Sequence, residues 1–388
     1  MYSDNKEDSV RPAICDSEGE NPMHYRLRTS SLLIIGCVSL VAAFAFGSQR
    51  SKRLPLVSAT EAGSKPMPTK GASPNEGPIP LLDLPALTRN ADLIVLGQIA
   101  SIRENGRVAI TLEGKATESE SMVAELTARS VLKGKVDGPT IFFTFAVPTV
   151  ESGYKTIAPR QFGLFFLRAD GEGPSTILNP YYPFLVAAPD SPKLKGNDLD
   201  RVVNTIAHLL AHPSAELRRE AIYILDTVPT DDATEALRKA LRDIDTVVKL
   251  QALAALLRRG DISILNIAED VLLHPKADVE EYLRRNVSVS LEGIRDPRAT
   301  LTLMHLLEAP DIQTRRSSAG ALRNMHTTAA IRPLLIALED SDRGVRYQGA
   351  VGLAELTGQY QWVPSVELFQ KDEQHYIAHW KEWGRTQK

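Results

Sequence analysis

Apolar positions recur at three- and four-residue spacing through the C-terminal half, the pattern of helices that bury one face. In residues 214–228, Leu217, Ala221, Ile224, Leu225 and Val228 make one such stripe. Pro229 and the pair Asp231 and Asp232 end that helix and cap the next, 233–242, whose stripe is Ala236, Leu237, Ala240 and Leu241. The pair then recurs, 245–257 with 262–273, 279–294 with 298–307, and 312–325 with 329–338. Residues 344–356 read as a fifth first-type helix, and 199–210 as a leading helix that covers the N-terminal end.

Superposing the first-type helices exposes a repeat. Leu225, Leu256, Leu291, Leu322 and Leu353 are 31, 35, 31 and 31 residues apart. Seven positions before each stands a basic residue: Arg218, Lys249, Arg284, Arg315, Arg346. Four positions before stand mostly small residues, Ala221, Ala252, Val287, Ser318 and Gly349, which let helix backbones approach. Ser214, Asp245, Glu280, Asp311 and Asp342 occupy the N-cap positions, where a side-chain oxygen can accept from orphan amides and a carboxylate suits the dipole. A period of this length means stacked two-helix units, none of which can bury its stripe alone. The basic residue, one turn in, is expected to reach the acid of the adjacent repeat and form a ladder.

With these offsets, 199–358 resembles HEAT repeats, whose signature is an acid, an apolar residue followed by Arg, then Ala and Leu. The resemblance implies a solenoid that offers a concave face, lined by the second helix of each pair, to a partner protein. Some HEAT-like arrays are metal-dependent hydroxylases with repeated His-Glu pairs. Here His208, His212, His274, His305 and His326 are followed by Leu, Pro, Pro, Leu and Thr, so that reading loses its ligands. Others attach or detach bilins, and no residue here points to that chemistry.

Residues 359–388 break the period. Residues 372–385 read as one helix with Tyr376, Trp380 and Trp383 on one side and Phe369 just before it, an aromatic cap for the last repeat. His375 and His379 are four apart, but Tyr376 stands where a metalloprotease has Glu, and no third ligand is in view.

Residues 81–190 have another texture. A short helix, 81–90, precedes candidate strands at 91–102, 122–132, 141–147, 162–167 and, more weakly, 177–186. Short strands between turn signals predict a small barrel or sandwich. Asn90, Ala91 and Asp92 leading into an apolar strand, Leu132, Lys133 and Gly134 closing the second, then Ile141–Phe143 and Phe165–Leu167, resemble the netrin-like and metalloproteinase-inhibitor type of OB-fold domain. Those inhibitors use an N-terminal cysteine and disulfides, and this segment has no cysteine, so inhibition is not carried over.

Residues 29–49 carry no charge and as a helix would span about 30 Å, enough to cross a bilayer. Arg26 and Arg28 precede the run, while Arg50, Lys52 and Arg53 follow it, so charge alone leaves the orientation open. A signal peptide starting at Met23 rather than Met1 and cleaved near Ala45 is the competing reading. Residues 1–28 read as a disordered tail and 50–80 as a flexible stalk. Cys15 and Cys37 are the only cysteines, so no disulfide framework or cysteine metal site lies beyond residue 37.

Composition narrows the function. Residues 198–358 hold 20 Lys and Arg against 24 Asp and Glu, a net of −4, which argues against a nucleic-acid partner. Arg284, Arg285, Arg315 and Arg316 are candidates for a local basic face within that sum, and the reading preferred for them is mixed-charge solvated helices. The chain has no phosphate-cradling glycine loop with Lys-Ser/Thr, no Gly-x-Ser-x-Gly and no His-Glu-x-x-His. The expected architecture is a multidomain α and β protein, with a small all-β domain over 81–190, a HEAT-type solenoid over 196–358 and an aromatic cap over 359–388. The segment 196–388 is expected to fold alone. The expected function is a non-enzymatic, membrane-tethered scaffold that binds a protein or peptide through the solenoid, with no cofactor or metal and with its folded part outside the cytoplasm. The alternative is an enzyme or enzyme regulator, a HEAT-like lyase or an inhibitor-type β-domain.

Overall fold

The computed structural model describes residues 80–388, apart from 113–114, 151–152, 172, 190–195, 278 and 388. The tail, the membrane or signal helix at 29–49 and nearly all of the stalk lie outside the described residues. Among the described residues no helix is long and apolar enough to cross a membrane.

Helix α1 (Leu84–Asn90) starts on Asp83, whose carboxylate accepts from the Ala86 amide, with Pro85 preset for the first turn. Six strands follow: β1 (Leu93–Leu112), β2 (Lys115–Lys133), β3 (Thr140–Pro148), β4 (Phe162–Asp170), β5 (Gly173–Ile177) and β6 (Phe184–Leu185). Their order is β1-β2-β3-β5-β4-β6, and β1 also pairs with β4. β1, β2, β3 and β5 therefore each have two strand neighbours, and β4 has three. Every ladder is antiparallel except β3–β5, which is parallel.

Two elements differ from the expectation. Strands β1 and β2 run well past the apolar stretches at 91–102 and 122–132, as a long hairpin whose outer arms are largely exposed. Those arms are held by backbone pairing, from Glu104↔Met122 out to Leu112↔Lys115. The single weak strand at 177–186 is replaced by β5 and β6, because Pro180 and Pro183 lie between them and cannot donate to a ladder.

The apolar run of β4 is buried on both faces. Phe165 and Leu167 join Val95, Leu126 and Phe143 in the core of the sheet. Leu164 and Phe166, one residue out of phase, join Ile94 and Leu96 of β1 and pack with the helices. A strand covered on both sides reads as a continuous apolar run rather than an alternating one.

Helix α2 (Asp198–Ala207), extended by a 3-10 turn to Ala211, opens the array behind a capping box of Asn197 and Asp200. The first-type helices are α3 (Ala215–Asp226), α5 (Thr246–Arg258), α7 (Glu281–Ser290), α9 (Ile312–Asn324) and α11 (Arg343–Thr357). The second-type helices are α4 (Asp231–Ala240), α6 (Leu265–Leu273), α8 (Thr300–His305) and α10 (Ile331–Ala337). Of these, α6, α8 and α10 are shorter than the sequence suggests, since each is preceded by a 3-10 turn. First-type helices pack on one another in series, α3 on α5, α5 on α7, α7 on α9 and α9 on α11.

All five repeat leucines, Leu225, Leu256, Leu291, Leu322 and Leu353, are fully buried. Their small companions are buried too, and Gly349 shows why size matters there: a Cβ would sit 2.9 Å from the Leu334 carbonyl oxygen. Ser214, Asp245, Asp311 and Asp342 each accept from the amide three residues on, while Glu280 makes no such cap. The array ends with α12 (Val366–Lys371) and α13 (Glu373–Thr386). Phe369 and Trp380 are buried, and Tyr376 and Trp383 pack partly buried against the same core.

Candidate functional site

The ladder is the most regular polar feature of the array. Arg218 donates from Nε and Nη2 to the two Asp243 carboxylate oxygens at 2.7 and 2.8 Å, while Nη1 donates to the His212 and Pro213 carbonyls. Arg315 repeats the arrangement, with Nε and Nη2 on Asp340 at 2.8 and 3.2 Å and Nη1 on the Ala309 and Pro310 carbonyls. Arg346 places Nη2 on Glu373 at 2.9 Å and Nη1 on the Asp340 and Ser341 carbonyls. One guanidinium thus ties its own inter-repeat loop to an acid of the next unit.

That acid is not the N-cap. Asp243 and Asp340 stand two residues before the capping Asp245 and Asp342 and accept from their amides at 2.8 and 2.7 Å. The caps take a second arginine, one residue along: Arg219 on Asp245 and Arg316 on Asp342. Arg218 and Asp243 are each only 7% exposed as side chains, so this is a desolvated bidentate pair. Arg218 holds the Asp243 carboxyl below its ordinary range, and Arg316 holds that of Asp342 down to about 2.

The ladder was expected at all five steps; the acid position of the Lys249 step is Asp278, outside the described residues, and the Arg284 step departs from the ladder. Lys249 makes no such pair among the described residues. Arg284 donates from Nη1 to the Lys276 and Val279 carbonyls, as its sisters do to their own loops. At the acid position two before its N-cap partner Asp311, however, stands Ala309. The Nε and Nη2 edge of Arg284 has no partner among the described residues. Arg285, beside it, is exposed and makes no ion pair among the described residues, although its counterparts Arg219 and Arg316 hold the caps. A cleft of about 440 Å³ opens here, between the loop ahead of α7 and the start of α9. It is the step next to the longest repeat, where the leucine spacing is 35.

The second-type helices carry a different feature. Ile267 on α6, Leu301 on α8 and Ile336 on α10 are 39%, 60% and 46% exposed. His305 Nδ1 lies 2.9 Å from Glu269 Oε1, tying α8 to α6.

At the C-terminal cap the aromatic set is larger than the sequence reading made it. Trp362 stacks on His379 with ring centroids 3.5 Å apart and lies 5.1 Å from His375. Burial, and then the neighbouring His375, push the His379 imidazole below its usual value. The two histidines meet across an indole, and among the described residues no group of three His, Cys, Asp or Glu side chains is placed to hold a metal.

Residues 276–354 match the HEAT repeats family. No curated protein matches the chain. Among solved structures, the complex of CpcE and CpcF of phycocyanin lyase from Nostoc sp. PCC7120 is similar at 22% identity and a TM-score of 0.34, over 45% of this chain and 69% of that one. An engineered protein is similar at 20% identity and a TM-score of 0.31, over 41% and 81%. Human deoxyhypusine hydroxylase, in complex with glycerol, is similar at 16% identity and a TM-score of 0.19, over 48% and 86%. Within the helical array, the stretch that matches HEAT repeats runs from the loop before α7 to near the end of α11.

Proposed function

We propose that the protein is a non-enzymatic scaffold whose HEAT array binds a protein or peptide partner. The observation that carries this is that three successive second-type helices each expose a large apolar residue, Ile267, Leu301 and Ile336. Repeats commonly present such a surface to partners, and exposed aliphatics in series favour association. The test is photo-crosslinking from the full chain in its own cells. A crosslinker at position 301 or 336 should trap a discrete partner, and one at the exposed Phe142 of β3 should not. Capture from 142 alone would move the binding function to the sheet.

Two finer readings belong to the same proposal. The sheet is an OB-like barrel, a reading supported by the β1–β4 pairing and the parallel β3–β5 step. The array is tethered to a membrane through residues 29–49, with its folded part outside the cytoplasm, a reading supported by the uncharged run and by Arg26 and Arg28 ahead of it. Alkaline carbonate should leave the chain in the membrane pellet. Release of a shorter species whose N-terminus is Phe46 would replace the anchor with a cleaved signal.

A further inference from the structure

The open step of the ladder has a definite stereochemistry. In the steps led by Arg218 and Arg315, Nη1 binds loop carbonyls and the Nε–Nη2 edge grips a carboxylate. Arg284 keeps the first half of this arrangement and lacks the second, because Ala309 replaces the acid. Its Nε–Nη2 edge is a preformed planar fork, oriented by the same loop contacts that orient its sisters. Such a fork matches a carboxylate bidentately.

The surroundings say what kind of carboxylate can enter. The 440 Å³ cleft is lined by Pro275, Pro310 and Ile312 together with Arg285 and Arg316. Glu281 and Asp311 also line it. The Asp311 carboxylate is taken up by the Thr314 amide and hydroxyl at 2.7 and 3.0 Å, and Arg316 is committed to Asp342. Among the described residues, one guanidinium edge and Arg285 remain for a ligand, facing two resident acids. That balance suits one acidic side chain flanked by apolar residues and disfavours a polyanion.

We infer that this cleft receives an Asp or Glu side chain from an acidic, partly apolar peptide segment of the partner, which completes in trans the rung that Ala309 omits. The inference rests on the scaffold reading above and names the chemistry of the partner.

The test uses the full chain and a fluorescently labelled peptide of Asp residues interspersed with Leu, beside the same peptide with Asn in place of Asp. The Asp peptide should bind in a salt-sensitive manner, and the Asn peptide about tenfold more weakly or worse, the loss typical of a charge-assisted pair. Ala309→Asp supplies the missing acid within the chain and should abolish binding while leaving the melting temperature unchanged or raised. Should that variant not fold, Arg284→Gln gives the same loss from the other side of the pair. Absence of Asp-peptide binding, equal binding of the Asn peptide, or parent-like binding by both variants each overturns the inference. The scaffold reading is separable. Crosslinks from 301 and 336 that persist while Ala309→Asp has no effect leave the scaffold standing and remove only the cleft. Peptide binding lost in Ala309→Asp, with no crosslink from 301 or 336, does the reverse.

Discussion

At the scale of single residues the repeat leucines carry the packing and the Asp–Arg pairs carry its pH dependence. Leu256 and Leu322 have no solvent contact, so truncating either to Ala should destabilise the array by about 2–5 kcal/mol, the usual result of emptying such a site. Equilibrium urea unfolding measures this, and a change under about half a kcal/mol would mean that the repeats re-close around the gap. Asp342 makes a different prediction. The Arg316 guanidinium lowers its carboxyl to about 2 from an ordinary value of 3.8. A depressed carboxylate contributes stability that is present above its unfolded value and is lost as pH falls through the folded one. The window is therefore from about pH 4 down to about pH 2. Arg316 is nearly half exposed, so solvent screening trims the contribution to about 1 kcal/mol. Asp342→Asn keeps an N-cap side chain but loses the pair. It should lower stability at pH 7 and narrow the gap from the parent protein as pH approaches 2; a constant gap across that range would assign the effect to the cap alone. The leucine offsets were legible because burial repeats at one fixed position. The identity of the rung acid was not, since Asp243 and Asp245 are equivalent as letters and only the loop geometry decides which one meets Arg218.

At the scale of elements, legibility tracked burial contrast. First-type helices, apolar on one face and capped by Asp or Ser, stand close to where their periodicity puts them. The outer arms of β1 and β2 are mostly polar over residues 103–121, with a short alternation of Val108, Ile110 and Leu112 on β1 and none on β2, and they are held by backbone pairing. Trp362 escaped because it sits in a 3-10 turn, outside any helical stripe, and only the fold stacks it on His379. The C-terminal element has a testable task. Trp380 and Phe369 are buried in the core cluster of the array, and Glu373 supplies the acid for Arg346. Deleting 359–388 should therefore uncover an apolar end and leave a basic rung unpaired, so the truncated protein should elute as oligomers or precipitate. A monomer with the parent's melting temperature would show that α11 closes the array by itself.

At the scale of the whole described molecule, the sheet and the repeats share one core. Leu82 and Leu84, with Leu87 of α1, join Ile94, Leu96, Leu164 and Phe166 on the outer face of the sheet, and these run on into Val202, Val203 and Ile206 of α2 and so into the repeats. Arg201 of α2 adds a polar tie, donating to the Leu132 carbonyl of β2 at 2.7 Å. The sequence reading placed α2 as a leading cap over an open end, which implies a helix with a solvated outer side. Instead, part of its apolar surface is covered by elements more than a hundred residues earlier in the chain, a contact that helical periodicity cannot reveal. A fragment spanning 196–388 should fold alone. The fragment should keep its helical circular dichroism, because each repeat still stacks on its neighbour. It should nevertheless melt below a fragment spanning 80–388 and associate at high concentration. Each aliphatic side chain of α2 returned to water forfeits about 1.5–3 kcal/mol of burial, acting on the end of the stack where fraying starts. Adding Ile206→Ser to both fragments separates the contributions. The substitution should destabilise 80–388 more than 196–388, since only the longer fragment holds the α1 and sheet residues that share the core cluster of Ile206. Equal effects in the two, together with equal melting temperatures, would show that the sheet rests on the array without stabilising it.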